Sequence, residues 1–319
     1  MRAAVVEQLE GPSAIRVRDW PEPSGTGVRI AVTAAGVSFP DALLTRGLYQ
    51  LRPEPPFVPG AEVSGVVTDA PAGSGFTAGQ RVAAFPALGG FAETVLAPPH
   101  LVFPLPAEVD TEVAAALPMN LLTVHFALLD RGRLRPGERV LIHGAAGGIG
   151  VAAIQLATAR EAQVIAVTST EEKAEMARAA GAQDVVDAEG FREAVRELTG
   201  GEGVDVVLDP VGGDRVTDSL RCLRRRGRLL VIGFTAGQIP SVKVNRLLLN
   251  NLDVVGVGWG AYWLAEPGYP AQQWAELLPD LRAGRLLPPI GARHRLDDAA
   301  EAVASLEERH AVGKVLLLP

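Results

Sequence analysis

A chain of 319 residues exceeds the size at which one hydrophobic core is usual, so two domains are expected. Hydrophobic residues at 48% and charged residues at 21% describe a well-packed globular protein, and the net charge of −7 argues against a nucleic-acid partner, which would need a broad basic face. The single cysteine, Cys222, excludes an internal disulfide and any zinc site built from several thiolates.

The chain opens Met1-Arg-Ala-Ala-Val-Val-Glu7, with a carboxylate where an exported protein would carry the apolar heart of its leader. A cytoplasmic location is expected, and the lone cysteine fits a reducing compartment. Residues 1–118 read as β-rich, with β-branched runs at 28–32 and 63–67 set between Pro and Gly clusters. The longest uncharged run, 113–129, is broken by Pro118, Asn120 and His125; it is short for a membrane span and reads as a buried helix.

From residue 119 the texture becomes strands alternating with helices. Strands are predicted at 139–143, 163–167, 184–186, 205–209, 228–232 and 253–257, which makes a doubly wound parallel sheet of the α/β class. The cation run 221–228 reads as a solvated face near a helix end, and His125 and His143 as structural histidines. Trp259, Tyr262 and Trp263 fit either an acceptor pocket or a hinge cover. A helix at 272–283, a strand at 291–295, a helix at 297–308 and a strand at 313–318 follow, and this tail is expected to rejoin the first domain because the six-strand unit is already complete. The expected domains are therefore 1–118, 119–262 and the returning segment 263–319.

The stretch 140–157 carries the chemistry. An apolar strand passes through Gly144-Ala-Ala-Gly-Gly-Ile-Gly150 into an amphipathic helix, the arrangement that cradles a dinucleotide pyrophosphate on free backbone N–H groups. Gly147 stands where backbone must approach phosphate and Gly150 where helix must pack on strand, while the first glycine position holds Ala145. At the tip of the next strand no carboxylate waits for a ribose. Ser169, Thr170 and Lys173 stand there instead and suit a 2′-phosphate, so NADPH is favoured over NADH. Ser169 and Glu172 also fit a capping box, which would need no ligand. Lys173 in a first helical turn opposes the macrodipole unless an anion lies close by.

Together with Gly36-Val-Ser-Phe-Pro-Asp41, Arg46-Gly-Leu-Tyr49, Pro59-Gly-Ala-Glu-Val-Ser-Gly65, Val231-Ile-Gly-Phe234 and Val255-Gly-Val-Gly-Trp259, these residues resemble the medium-chain dehydrogenase/reductase superfamily. Within it they resemble the zinc-free quinone oxidoreductase group that includes ζ-crystallin, over the whole chain. The resemblance implies a GroES-like β-barrel domain beside a Rossmann domain, NADPH between them, and a homodimer joined through the last Rossmann strand. It assigns the pyrophosphate to Ala146, Gly147, Gly148, Ile149 and Gly150, and the 2′-phosphate to Ser169 and Lys173. The nicotinamide half falls to Ile232, Gly233, Phe234, Gly256, Val257 and Gly258, with Asn120 and Asn245 close by. Ala188 departs from the family, where many relatives place Tyr or His near the adenosine.

No metal is expected. Zinc-dependent members of the superfamily carry a cysteine near Ser38 and Gly-His-Glu where this chain has Gly60-Ala-Glu62. Without a Lewis acid the protein can only position an acceptor and polarise its carbonyl, which suits a quinone or an enone. Tyr49 and Ser38 are the candidate donors, each with a bland alternative: a tyrosine packing its ring, a serine fixing a turn. Asp41 reads as a helix cap. Two rival functions stand beside this one, a non-catalytic NADPH-binding protein and an enoyl reductase acting on thioesters.

Overall fold

A computed structural model describes residues 1–308 and 310–319. In chain order the strands are β1 (Arg2–Val6), β2 (Ile15–Asp19), β3 (Val28–Val37), β4 (Glu62–Asp69), β5 (Arg81–Ala84), β6 (Thr94–Ala97) and β7 (Val102–Pro104), then β8 (Arg139–Ile142), β9 (Gln163–Thr168), β10 (Asp184–Asp187), β11 (Val204–Asp209), β12 (Leu223–Val231) and β13 (Asp253–Gly256), and last β14 (Ile290–Arg295) and β15 (Lys314–Leu318). The helices are α1 (Phe39–Leu44), α2 (Thr111–Ala114), α3 (Pro118–His125), α4 (Gly148–Ala159), α5 (Glu171–Ala179), α6 (Phe191–Leu198), α7 (Val216–Cys222), α8 (Asn245–Asn250), α9 (Trp259–Ala265), α10 (Tyr269–Arg282) and α11 (Ala299–Glu307). The chain divides into two compact units, one of residues 1–120 and 266–319, the other of residues 121–265.

The first unit is built on a seven-stranded sheet in the order β14-β15-β3-β4-β5-β7, with β6 also paired to β3. β15 runs antiparallel to β3, placing Leu316 opposite Gly36, and β3 runs antiparallel to β4, placing Gly36 opposite Glu62. The core beneath is aliphatic: Val5, Ile30, Val63, Val82, Val303 and Leu317 are almost wholly buried. Small residues and β-branched chains fill it, as the low aromatic content requires.

The second unit is a six-stranded parallel sheet in the order β10-β9-β8-β11-β12-β13. This is the classic doubly wound order, whose strand sequence reverses between β8 and β11. β11 is buried at every residue, as expected of a central parallel strand covered on both faces. α4 is apolar nearly throughout, with Val151, Ala153, Ile154, Leu156 and Ala157 buried, and it packs against β8, β9 and α5.

Several local expectations change. The uncharged run 113–129 is interrupted: α2 ends at Ala114, α3 starts at Pro118, and the chain widens into a π-helical turn over Phe126–Arg131. Proline at residue 118 removes a backbone donor and resets the helix there. β12 begins at Leu223, five residues ahead of its predicted start. The cation run is solvated at Arg224, Arg225 and Arg226, but Arg228 is buried. Its guanidinium holds both oxygens of Glu138 at 3.0 and 2.6 Å and donates to the carbonyls of Gly132 and Arg133. Among the described residues no helix is long and apolar enough to cross a membrane.

Candidate active site

In the second unit, the strands deliver the predicted cofactor residues to one edge of the sheet, the carboxyl ends. β8 leads into the glycine turn, β9 ends at Thr168 just before Ser169, β12 ends before Ile232 and β13 ends at Gly256. Gly144, one residue ahead of the position read as the first glycine, adopts φ 59°, and it makes the tight turn that Ala145 could not make comfortably. Sequence reasoning missed Gly144; its signal was a glycine standing directly after the strand.

Gly147 caps α4 in an extended conformation, and Gly147, Gly148 and Ile149 are half-exposed while Ala146 is buried. A side chain on Gly150 would meet the Gly144 carbonyl at 2.3 Å and the Ala145 Cα at 2.5 Å, so only glycine allows α4 to lie this close to the turn. α4 thus presents its first N–H groups, with the positive end of a twelve-residue helix, at an accessible turn. The residues present fit a dinucleotide pyrophosphate.

At the tip of β9 the helix cap is not Ser169. Thr170 caps α5, accepting from the Lys173 backbone N–H at 3.3 Å, which corrects the Ser169–Glu172 box. Ser169, beside it, is exposed. Ala188 ties the end of β10 to β9 through its N–H and the Thr168 carbonyl at 2.7 Å. Beside it lies a cavity of about 580 Å³ lined by Ala188, Phe191, Arg192, Gly213, Arg215 and Gln238. Where β12 ends, the Ile232 N–H donates to the Asp209 carbonyl, and Asp209 itself accepts from the N–H groups of Val211 and Gly212 at 2.8 and 2.9 Å. Phe234, Gly256 and Gly258 are exposed, Gly233 is half-buried and Val257 is buried. Asn245 opens α8 and is exposed.

His143 and the tryptophans also belong to this unit. His143 is buried, its Nε2 lies 2.8 Å from Ser219 Oγ, and burial drives its pKa down to about 4. Trp259 and Trp263 are buried in α9 with ring centroids 6.0 Å apart, and Tyr262 lies against Phe126.

The first unit holds Ser38, Tyr49 and Asn120, and there the structure shows a polar cluster that the sequence did not announce. Ser38 starts α1, and its N–H donates to Asp41 Oδ2 at 2.8 Å while the Gly60 N–H donates to Asp41 Oδ1 at 3.1 Å. Asp41 is therefore the cap expected of it. Its pKa is raised to about 7, first by burial, against the pull of those two N–H groups and of Lys314. The Ser38 hydroxyl donates to Glu62 Oε1 at 2.9 Å and accepts from Lys314 Nζ at 2.8 Å. Lys314 also donates to Glu62 Oε1 at 2.5 Å, and the Met119 N–H at the start of α3 donates to Glu62 Oε2 at 2.7 Å. Glu62 and Asp41 have no exposure, Lys314 3% and Ser38 5%. The Ser38 hydroxyl thus faces a carboxylate, where the sequence offered either a donor to a carbonyl or a serine fixing a turn. Lys314 was invisible in the sequence because nothing near residue 314 marks it as a partner of residues 38 and 62.

Tyr49 is half-buried against the aliphatic core, and burial, followed by the Asp41 charge, raises its phenol above the usual tyrosine range. It keeps its proton at neutral pH and remains a donor. Leu48 and Leu51 on either side of it are 66% and 42% exposed. Asn120 is buried in α3.

The chain matches the alcohol dehydrogenase GroES-like domain over residues 24–107 and the zinc-binding dehydrogenase domain over residues 148–281. It is 38% identical to quinone oxidoreductase-like protein 2 of Bos taurus, covering 99% of this chain and 92% of that protein. It is 33% identical to a 2-haloacrylate reductase of Burkholderia, covering 99% of this chain and 98% of that one. The crystal structure of the Escherichia coli quinone oxidoreductase complexed with NADPH superposes with a TM-score of 0.91 at 30% identity, covering all of both chains. Full-length likeness of this kind, joined to a GroES-like first unit and a Rossmann second unit, places the chain in the zinc-free quinone oxidoreductase group of the medium-chain dehydrogenase/reductase superfamily.

Proposed function

We propose that this chain binds NADPH and directs its hydride to a quinone or an α,β-unsaturated carbonyl. The observation that carries the reading is the open N-terminus of α4, wedged against the β8 turn by Gly150 at the carboxyl edge of the parallel sheet. Relatives of both chemical kinds support it: one is named for quinones and one for an activated alkene acid, and the Escherichia coli structure carries NADPH.

When bound, NADPH supplies the hydride, and the protein's own groups do the rest. The N–H groups of Gly148, Ile149 and Gly150 at the start of α4 hold the pyrophosphate, which lies over Gly147, whose own N–H donates to the Gly144 carbonyl at 3.0 Å. Ser169 and Lys173 hold the 2′-phosphate, which the exposure of Ser169 at the tip of β9 supports. Backbone at Ile232, Gly233 and Phe234 and at Gly256, Val257 and Gly258 positions the nicotinamide half, with Asn120 and Asn245 as further polar contacts. Tyr49 donates to the acceptor's oxygen as negative charge gathers there, which its protonated phenol allows. The exposed Leu48 and Leu51 beside it suit a flat apolar acceptor.

The working form is a cytoplasmic homodimer joined through β13. β13 is an edge strand, and the adjoining α8 exposes Leu248 and Leu249 at 78% and 73%, a surface that an uncovered edge leaves unprotected. The decisive experiment follows NADPH absorbance by stopped flow with a panel of quinones and enones. Oxidation with at least one class is expected; none with any acceptor defeats the proposal.

A further inference from the structure

We infer that Asp41 is the positioning residue of Tyr49, because its one carboxyl group ties together both ends of the loop that carries the phenol. The inference rests on the reading of Tyr49 as the donor in the proposed function, while the tie itself lies wholly within the first unit.

The loop leaves the sheet at Ser38, passes through α1 and returns at Gly60. Asp41 meets both ends: the Ser38 N–H reaches Oδ2 at 2.8 Å and the Gly60 N–H reaches Oδ1 at 3.1 Å. On the outgoing side the Leu48 N–H still donates to the Leu43 carbonyl at 2.9 Å. On the returning side Phe57 and Val6 exchange backbone hydrogen bonds at 2.8 and 3.3 Å, and Gly60 packs so closely on Phe91 that no side chain would fit between them. Between these anchors, among the described residues, no backbone N–H from Tyr49 to Glu54 donates to a backbone carbonyl, and Pro55 and Pro56 have none to give. The pose of Tyr49 therefore follows the spacing of the two ends, and Asp41 is the group that touches both.

The tie responds to its own proton. Asp41 has no exposure, and burial outweighs its two N–H partners, so its pKa is raised from 3.8 to about 7. Lys314 faces it from β15, Glu62 from β4 and Tyr49 from the loop. α11 also packs on α1, but its Glu307 is taken by Arg46 and its Glu301 is exposed. Lys314 is already engaged by Glu62 and Ser38, so it offsets a second buried carboxylate only in part. Ionised Asp41 is relieved when water reaches it, which requires the two ends to part. The closed loop thus keeps a proton that the parted loop releases, and parting grows as pH rises from 3.8 to about 7.

Hydrogen exchange at the Ser38 and Gly60 amides tests the tie. In the wild type their protection, corrected for intrinsic rate, is expected to fall by about tenfold or more between about pH 5 and pH 7. Both amides are also expected to exchange faster than those of the interior strand β4, since the loop parts without unfolding the sheet. Asp41→Asn is expected to lose the pH response. Flat protection in the wild type, protection equal to that of β4, or the same pH response in Asp41→Asn overturns the tie. The wild-type series needs no variant to fold.

A second readout reports on the phenol. The tyrosines are Tyr49, Tyr262 and Tyr269, so ring-carbon NMR can be assigned by single variants. The Asp41 charge helps to raise the Tyr49 phenol, so Asp41→Asn is expected to lower its titration midpoint and leave Tyr262 unmoved. A simple helix cap would not produce that shift, and an unmoved Tyr49 midpoint overturns the inference. Neither readout involves turnover: a chain that meets both yet oxidises no NADPH keeps the tie and loses only the hydride-transfer reading.

Discussion

Lys314 Nζ and Glu62 Oε1 meet at 2.5 Å although β3 separates their strands in the sheet. They meet over Gly36, where a side chain would stand 2.8 Å from the same carboxylate oxygen and 2.4 Å from the Ala115 carbonyl. The absence of a Cβ at residue 36 is what lets a cation on one strand reach a carboxylate on the next strand but one.

Removing one member of this pair leaves an uncompensated buried charge, a loss of about 3–5 kcal/mol. Lys314→Met alone is expected to lower stability by that order in urea denaturation. The paired change Glu62→Gln with Lys314→Met is expected to recover most of it, and an equal loss for single and paired variants would contradict the account.

Asp41 and His143 bend stability in opposite directions with pH. Asp41 is raised from 3.8 to about 7, so the folded chain holds a proton that the unfolded chain has released. Its contribution is complete below pH 3.8 and is lost as pH rises through 7, a change on the order of 4 kcal/mol. Asp41→Asn is expected to flatten the decline between pH 4 and 7, read from urea midpoints at a series of pH values.

His143 is lowered from 6.5 to about 4 by burial, so here the unfolded chain binds the extra proton. This stability is present above pH 6.5 and is lost as pH falls toward 4, a change on the order of 3 kcal/mol. His143→Gln is expected to remove that acid-side loss, and a variant whose acid limb matches the wild type would show that other groups govern it.

Lys173→Ala is expected to weaken NADPH by about tenfold or more and to leave NADH nearly unchanged, because a charge-assisted contact to the 2′-phosphate is lost. Fluorescence titration with each cofactor measures this. Equal weakening of both would remove the assignment of Lys173.

Leu248→Glu is expected to shift the chain toward monomer in sedimentation velocity, since it sets a charge on the 78% exposed leucine beside the β13 edge. An unchanged sedimentation coefficient would place the dimer contact elsewhere.

The Rossmann fold was legible because its signals are local: β-branched runs and the Gly147–Gly150 turn each lie within a few residues. Strand ends moved by a residue or so, except at β12, where Leu223, Arg224 and Arg225 looked like the solvated end of a helix. Arg228 was misread for the same reason, since its partner Glu138 lies ninety residues away in the chain. The Ser38 cluster was illegible in a stricter sense. Its members come from residues 38, 41, 62, 119 and 314, and no spacing rule joins them; only the pairing of β15 with β3 does. Ser169 shows a smaller limit, because Thr170 is an equally good cap and pattern alone does not choose between neighbours.

The position of β15 also orders events on the ribosome. It is an interior strand, lying between β14 and β3, yet it is translated after the whole second unit. Until residue 314 emerges, the nascent first unit carries Glu62 without its counter-cation and β3 without one of its neighbours. Folding of that unit therefore waits for the second unit to be made, and the arrival of β15 both zips the sheet and neutralises its interior.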